Sequence, residues 1–145
     1  YLATHGACHL VLTGRSGVST DDQRTALKAL EDAGVKVEVI AADIANPEDV
    51  TRILLSMSNL RGIVHAAGVL DDGMLTQQSS DRFRKVAGPK INGSWHLHVQ
   101  TKDQPMDFFI LFSSVAGILG SPGQSNYAAA NAFMDGLAHH RKQQG

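Results

Sequence analysis

Four short apolar runs, separated by stretches with helical spacing, constrain this chain more than anything else in it. They are CHLVLTG (8–14), VKVEVIAAD (35–43), LRGIVHAAG (60–68) and MDFFILFSS (106–114). Each is rich in Val, Ile or Phe and ends in small or polar residues, the pattern of buried parallel strands. The segments between them read as helices. STDDQRTALKALEDAG offers Thr20 as N-cap, acidic residues in the first turn, Leu27 and Leu30 on one face and Gly34 as a stop. NPEDVTRILLSMS places Asn46 at an N-cap and Pro47 at the first helical position. A longer helix is predicted over 78–101, carrying Phe83, Val86, Ile91, Trp95 and Leu97 and bent near its middle by Pro89; a last one runs from Ser125 to the end. Strands alternating with helices call for a parallel α/β sheet covered on both faces.

With 145 residues, 43% of them hydrophobic, the chain has the length and balance of one α/β unit spanning 1–145. YLATHG reads as the last turn of a helix whose beginning is absent, and the chain stops on a helix, so a piece cut at both ends is expected. A formal charge of −1, with acids and bases interspersed, argues against nucleic acid or a membrane surface as partner. The single cysteine, Cys8, excludes an internal disulfide and suggests a reducing, cytoplasmic setting; within its apolar run it reads as a small core residue.

In open α/β sheets ligands bind beyond the C-terminal ends of the strands. Those ends carry Gly14, Arg15 and Ser16, then Asp43, then Ala66, Ala67 and Gly68, then Ser113 and Ser114. No G-x-G-x-x-G phosphate cradle is present. Arg15 and Ser16 stand where an NAD-specific site would place an acid, which favours NADP, although an arginine after a strand is more often a solvated surface residue. Asp43 can accept from an adenine amino group or cap the following loop. HAAG allows close backbone approach to a flat ligand, or simply packs under a helix.

The densest local pattern is Ser114, Tyr127 thirteen residues on, and Asn131 four further along the same helix face. A phenol, with an ordinary pKa of about 10, is a poor proton donor at neutral pH unless a cation stabilises its phenolate. Lys90 is a candidate for that cation; the bland alternative is a packed tyrosine and a solvated lysine. His96 and His98, two apart on a helix, point in different directions and make no metal pair; His139 and His140 read as solvated. His65 reads as a core histidine satisfied by backbone, and Trp95, Phe108 and Phe109 as core.

LVLTGRSG, RGIVHAAGVLDDGML, PKINGSWHLH, DFFILFSSVAG and GSPGQSNYAAANAF together resemble the ketoreductase domains of modular polyketide synthases, in the short-chain dehydrogenase/reductase superfamily. The resemblance implies a Rossmann-like, doubly wound parallel sheet, here incomplete: the family's first strand with its glycine-rich loop and its C-terminal segment are missing. It implies that NADPH delivers hydride to a β-keto carbon while Tyr127 protonates the oxygen. Ser114 would hydrogen-bond that oxygen, Lys90 would favour the phenolate, and Asn131 would help relay protons. Arg15, with Ser16, would hold the 2′-phosphate; Asp43 and Ile44 would border the adenine, and Ala66, Ala67 and Gly68 would line the cofactor floor. Leu70, Asp71 and Asp72 match the LDD motif of B-type members, which guides the phosphopantetheine arm and gives a D-configured hydroxyl. No Trp lies in the loop before Tyr127, and Ala129 is not the Pro of the epimerising subtype. The implied partners are an acyl carrier protein bearing the β-ketoacyl chain and the other domains of the synthase. Two other readings compete: a catalytically incomplete scaffold, and a free-standing dehydrogenase acting on small alcohols, which Lys90 and LDD disfavour.

Overall fold

A computed structural model describes residues 1–144, which pack as two compact units, Tyr1–Asp43 and the remainder from Ile44 onward. The first is a strand–helix–strand unit. A single 3-10 turn, Ala3–His5, ends at Gly6 with φ 99°, a left-handed conformation that glycine adopts without a Cβ clash. Strand β1 (His9–Gly14) leads to helix α1 (Asp21–Asp32) and back to β2 (Lys36–Ala41), parallel to β1 and in register from His9 opposite Lys36 to Gly14 opposite Ala41. Thr20 caps α1 as expected: its hydroxyl accepts from the Gln23 amide at 3.2 Å, and the Gln23 carboxamide accepts from the Thr20 amide at 3.2 Å. The helix stops before Gly34, whose φ is +82°. Leu12 and Val39 pair across the sheet and remain 38% exposed each, so this face is not buried as a strand covered on both sides would be.

The second unit begins with α2 (Pro47–Leu55), capped by Asn46, whose side chain accepts from the Glu48 amide at 2.9 Å. Val50 and Ile53 face its core. Strand β3 (Gly62–His65) pairs in parallel with β4 (Phe108–Leu111), Gly62 opposite Phe108 and His65 opposite Leu111. The α/β class with parallel strands is as expected; the described strands form two separate two-stranded sheets. Between β3 and β4 the expected bent helix is three pieces: α3 (Ser80–Ala87), a π turn over Gly88–Asn92, and α4 (Gly93–Thr101). Pro89 has no N–H to donate, and its carbonyl is taken by the His65 ring at 2.9 Å, so the bend opens into a π turn rather than a simple kink. A one-turn helix, α5 (Ala116–Leu119), precedes the long α6 (Ser125–Gln144); Gly145, the end of the predicted helix, lies outside the described residues. Val86, Leu97, Ala116, Ala130, Met134 and Leu137 form the core, and each large side chain so buried contributes about 1.5–3 kcal/mol.

Two expected core residues are not core. Trp95 is 44% exposed, as is Val99 one turn on, because α4 buries the stripe Ser94, Leu97, His98 and Thr101 instead. Ser94 and Thr101 can be buried because their hydroxyls donate to carbonyls one turn back, Lys90 at 2.5 Å and Leu97 at 2.6 Å. Cys8 is exposed: it stands just before β1, its thiol turned toward the Gly6 carbonyl at 3.7 Å. No helix among the described residues is long and apolar enough to cross a membrane.

Candidate functional site

The site grows from the π turn. By rotating the helix locally, residues 88–92 turn Lys90 inward until only 5% of it is exposed. Its ammonium donates to the Asn131 carboxamide oxygen at 2.9 Å and to the Phe112 carbonyl at 3.1 Å, and lies 5.0 Å from the centroid of the Tyr127 ring. Two of its three donors are thereby committed, leaving one. Burial pulls the Lys90 pKa below the ordinary lysine value, with the charge of Asp135 acting in the opposite direction. Both direct partners are neutral dipoles, so the positive charge is held in place without being neutralised.

Asn131 orients this arrangement from α6. It is fully buried; its Nδ2 donates to the Tyr127 carbonyl one turn back at 2.8 Å, which turns Oδ1 to the lysine. The Tyr127 amide, near the start of α6, is satisfied by the Asn126 side-chain oxygen at 2.8 Å. Gly117 fits α5 against α6: a Cβ there would meet the Ala132 nitrogen at 3.0 Å. At the end of β3, Gly68 leaves room for the lysine stem, since a Cβ would come within 3.1 Å of Lys90 Cε. His65, buried beneath, donates from Nε2 to the Pro89 carbonyl, and burial lowers its pKa, so it serves the turn as a neutral ring.

Lys90, Gly68 and Tyr127 border a cavity of about 360 Å³. The β3 end supplies Ala66, Gly68, Val69 and Leu70, the π turn Lys90, the β4 end Phe112 and Ser113, and α6 Tyr127. The serine lining it is Ser113, expected at the strand end but without a catalytic role; its hydroxyl donates to the Asn131 carbonyl at 3.3 Å. Ser114, its neighbour on the chain, lines an adjoining hollow of about 670 Å³ with Ile118, Asp135 and His139, and its Oγ accepts from the Ala116 amide at 3.2 Å. That bond uses a lone pair and leaves the Ser114 hydroxyl proton for another acceptor.

Leu70 is 59% exposed at the cavity's edge. Asp71 and Asp72 differ from it: the Asp71 carboxylate pairs with Arg82 at 3.0 Å and Lys85 at 2.9 Å, and the Asp72 carboxylate accepts from Gln124 at 2.9 Å. The hydrogen bond from Lys85 holds the Asp71 pKa below the usual carboxylate value.

In the first unit, Arg15 and Ser16 are exposed in the turn after β1, closed by Gly17 N–H to the Gly14 carbonyl at 3.3 Å. Asp43 is half-buried at that unit's end. Ile44 opens the second unit packed on Gly93, where a Cβ would meet its Cγ2 at 2.8 Å. Ala66, Ala67 and Gly68 are all exposed. Small residues open at a strand end fit the floor of a flat cofactor.

The sequence matches the family model described as the KR domain over residues 1–145. It is 42% identical over 148 residues to the "Putative inactive phenolphthiocerol synthesis polyketide synthase type I Pks1" of Mycobacterium tuberculosis, covering 99% of this chain and 9% of that protein. It is 41% identical to the phenolphthiocerol synthesis polyketide synthase type I Pks15/1 of Mycobacterium bovis, covering 99% of this chain and 7% of that one. Among solved structures, one titled as A-type ketoreductases from a modular polyketide synthase superposes with a TM-score of 0.95 at 38% identity, over 99% of this chain and 31% of that one. The chain thus spans less than a tenth of the length of these curated relatives.

Proposed function

The chain belongs to the KR domain family, the ketoreductase domains of polyketide synthases, and from that premise we propose that it reduces the β-keto group of an acyl chain carried on an acyl carrier protein. The observation that carries this is the Lys90 ammonium, buried, hydrogen-bonded only to neutral oxygens and 5.0 Å from the Tyr127 ring in one cavity. A positive charge so placed favours electron density on the phenol oxygen as its proton leaves, which is what a general acid acting on a ketone requires.

Bound NADPH supplies the hydride for such a reduction. Arg15 and Ser16 would hold its 2′-phosphate, Asp43 and Ile44 would border the adenine, and Ala66, Ala67 and Gly68 would form the floor. Tyr127 gives its proton to the keto oxygen. Ser114 donates a hydrogen bond to that same oxygen, with its Oγ already oriented by the Ala116 amide. Lys90 and Asn131 form the path by which a proton returns to the phenol, linked at 2.9 Å. Leu70 at the cavity edge, with the rest of LDD and no Trp in residues 115–126, supports B-type approach and a D-configured hydroxyl.

One observation favours a second reading, a non-catalytic scaffold: a relative of comparable identity is named as inactive. Intact wiring among Lys90, Tyr127 and Asn131 favours catalysis. Incubating the full-length protein that carries this sequence with NADPH and a β-ketoacyl thioester decides between them. Reduction to the β-hydroxyacyl thioester supports the proposal; cofactor binding without turnover supports the scaffold.

A further inference from the structure

We propose that Arg82 is a positioning residue that sets segment 70–73 at the mouth of the Tyr127 cavity, and through it the face from which the acyl chain reaches the phenol. This rests on the reduction reading above. Asp71 and Asp72 then act as anchor points for the segment, and Leu70 is the member of the trio left to meet substrate.

The contacts converge on one guanidinium. Arg82 sits in the first turn of α3 and pairs with the Asp71 carboxylate at 3.0 Å, while its Nη1 donates to the Asp72 carbonyl at 2.6 Å. It packs so closely on Gly73 that a Cβ there would lie 2.6 Å from Nη1. Lys85, one turn along α3, holds the other Asp71 oxygen. From the opposite side, the buried Asn126 carboxamide donates to the Asp71 carbonyl at 2.8 Å and to the Arg82 carbonyl at 3.4 Å. Gln124 holds Asp72, and the Gly73 amide donates to the Gly123 carbonyl at 2.8 Å. The segment is therefore gripped between α3 and the loop that delivers Tyr127.

That grip has a consequence for geometry. Arg82 and Lys90 lie eight residues apart, about 12 Å along the α3–π-turn axis at 1.5 Å per residue. One stretch of helix thus fixes both the cation beside Tyr127 and the segment bearing Leu70. Asn126 ties the same segment to the residue preceding the phenol. Both Asp71 and Asp72 spend their carboxylates inside this clasp, and only Leu70 lines the cavity.

The test uses the full-length protein with Arg82→Ala, Arg82→Lys and Gly73→Ala, the last crowding the guanidinium from the far side. Amide exchange reads the clasp directly: in Arg82→Ala, exchange over residues 70–74 and 123–127 should rise about tenfold while the last turns of α6 stay protected. With a β-ketoacyl thioester and NADPH, the D-to-L ratio of the hydroxy product should fall about tenfold and KM should rise, with kcat changing less than about threefold. Arg82→Lys should recover part of both, and Gly73→Ala should reproduce the loss. An unchanged product ratio, or a loss of kcat alone with exchange unchanged, overturns the proposal. If Arg82→Ala fails to fold, Arg82→Lys and Gly73→Ala still decide it. If the unmutated protein reduces nothing, the reduction reading fails, while exchange still reports whether Arg82 holds the segment.

Discussion

Lys90 and Arg15 are both cations at strand-end regions of an α/β chain, and their surroundings are opposite. Lys90 is 5% exposed, with two acceptors fixed on its ammonium and a ring beside it. Arg15 is exposed in the short turn after β1. A cation that acts on another side chain must be positioned before the reaction begins, so the protein commits its donors internally. A cation that acts on an anionic ligand must keep its fork of donors open to that ligand. In the proposed reduction, the contrast separates a residue placed for chemistry from one placed for binding.

The comparison is broken most severely by removing the proposed proton donor. Tyr127→Phe should lower kcat by about 10²–10⁴-fold while NADPH binding, followed by fluorescence titration, is retained; equal losses of both would mean that Tyr127 serves packing. Next comes Arg15→Ala, which should raise KM for NADPH by about tenfold and narrow the preference over NADH, with kcat nearly unchanged in steady-state assays. Gly68→Ala should cost less, roughly threefold to tenfold in kcat, because its Cβ would crowd the lysine stem from 3.1 Å without removing the charge.

The smallest effect is on stability and concerns the histidine under the turn. His65 is neutral when folded and burial lowers its pKa. The unfolded chain therefore takes up a proton first as pH falls, so the stabilisation is complete above about 6.5 and is lost from there down through the lowered folded value. The urea midpoint should decline over that window by an amount equivalent to about 1.4 kcal/mol for each unit of depression, and His65→Gln should flatten the decline. A midpoint independent of pH across this range would mean that His65 is not held neutral.

Much of this was legible in the chain because local rules agreed with one another. Thr20, Asn46 and Pro47 cap where they should, the four strands lie inside the predicted runs, and Tyr127 and Asn131 share a face of α6. Phenol chemistry made Lys90, 37 residues upstream, a candidate partner, and resemblance favoured it over a solvated lysine, which no periodicity could do. What stayed hidden had physical causes. Trp95 misled because α4 buries Ser94 and Thr101, whose hydroxyls find carbonyls within their own helix, so hydropathy pointed to the wrong face. Cys8 misled because an apolar run was extended one residue beyond its strand. Ser113 and Ser114 are adjacent and of one type, and only the fold shows that Ser113 lines both hollows while Ser114 lines the second alone. Arg82 carries no signal of its own in the sequence, since its partners Asp71 and Asp72 lie in a segment with no secondary structure.

The central claim is that the buried charge on Lys90 makes Tyr127 an effective acid, and the pH dependence of kcat in wild type and Lys90→Met tests it most directly. Burial lowers the Lys90 pKa, so wild-type activity should fall on the alkaline side before the ordinary lysine value is reached. Lys90→Met should lower kcat at neutral pH by about 10²-fold and lack that alkaline decline. A Lys90→Met profile that superimposes on the wild type in height and shape would contradict the account.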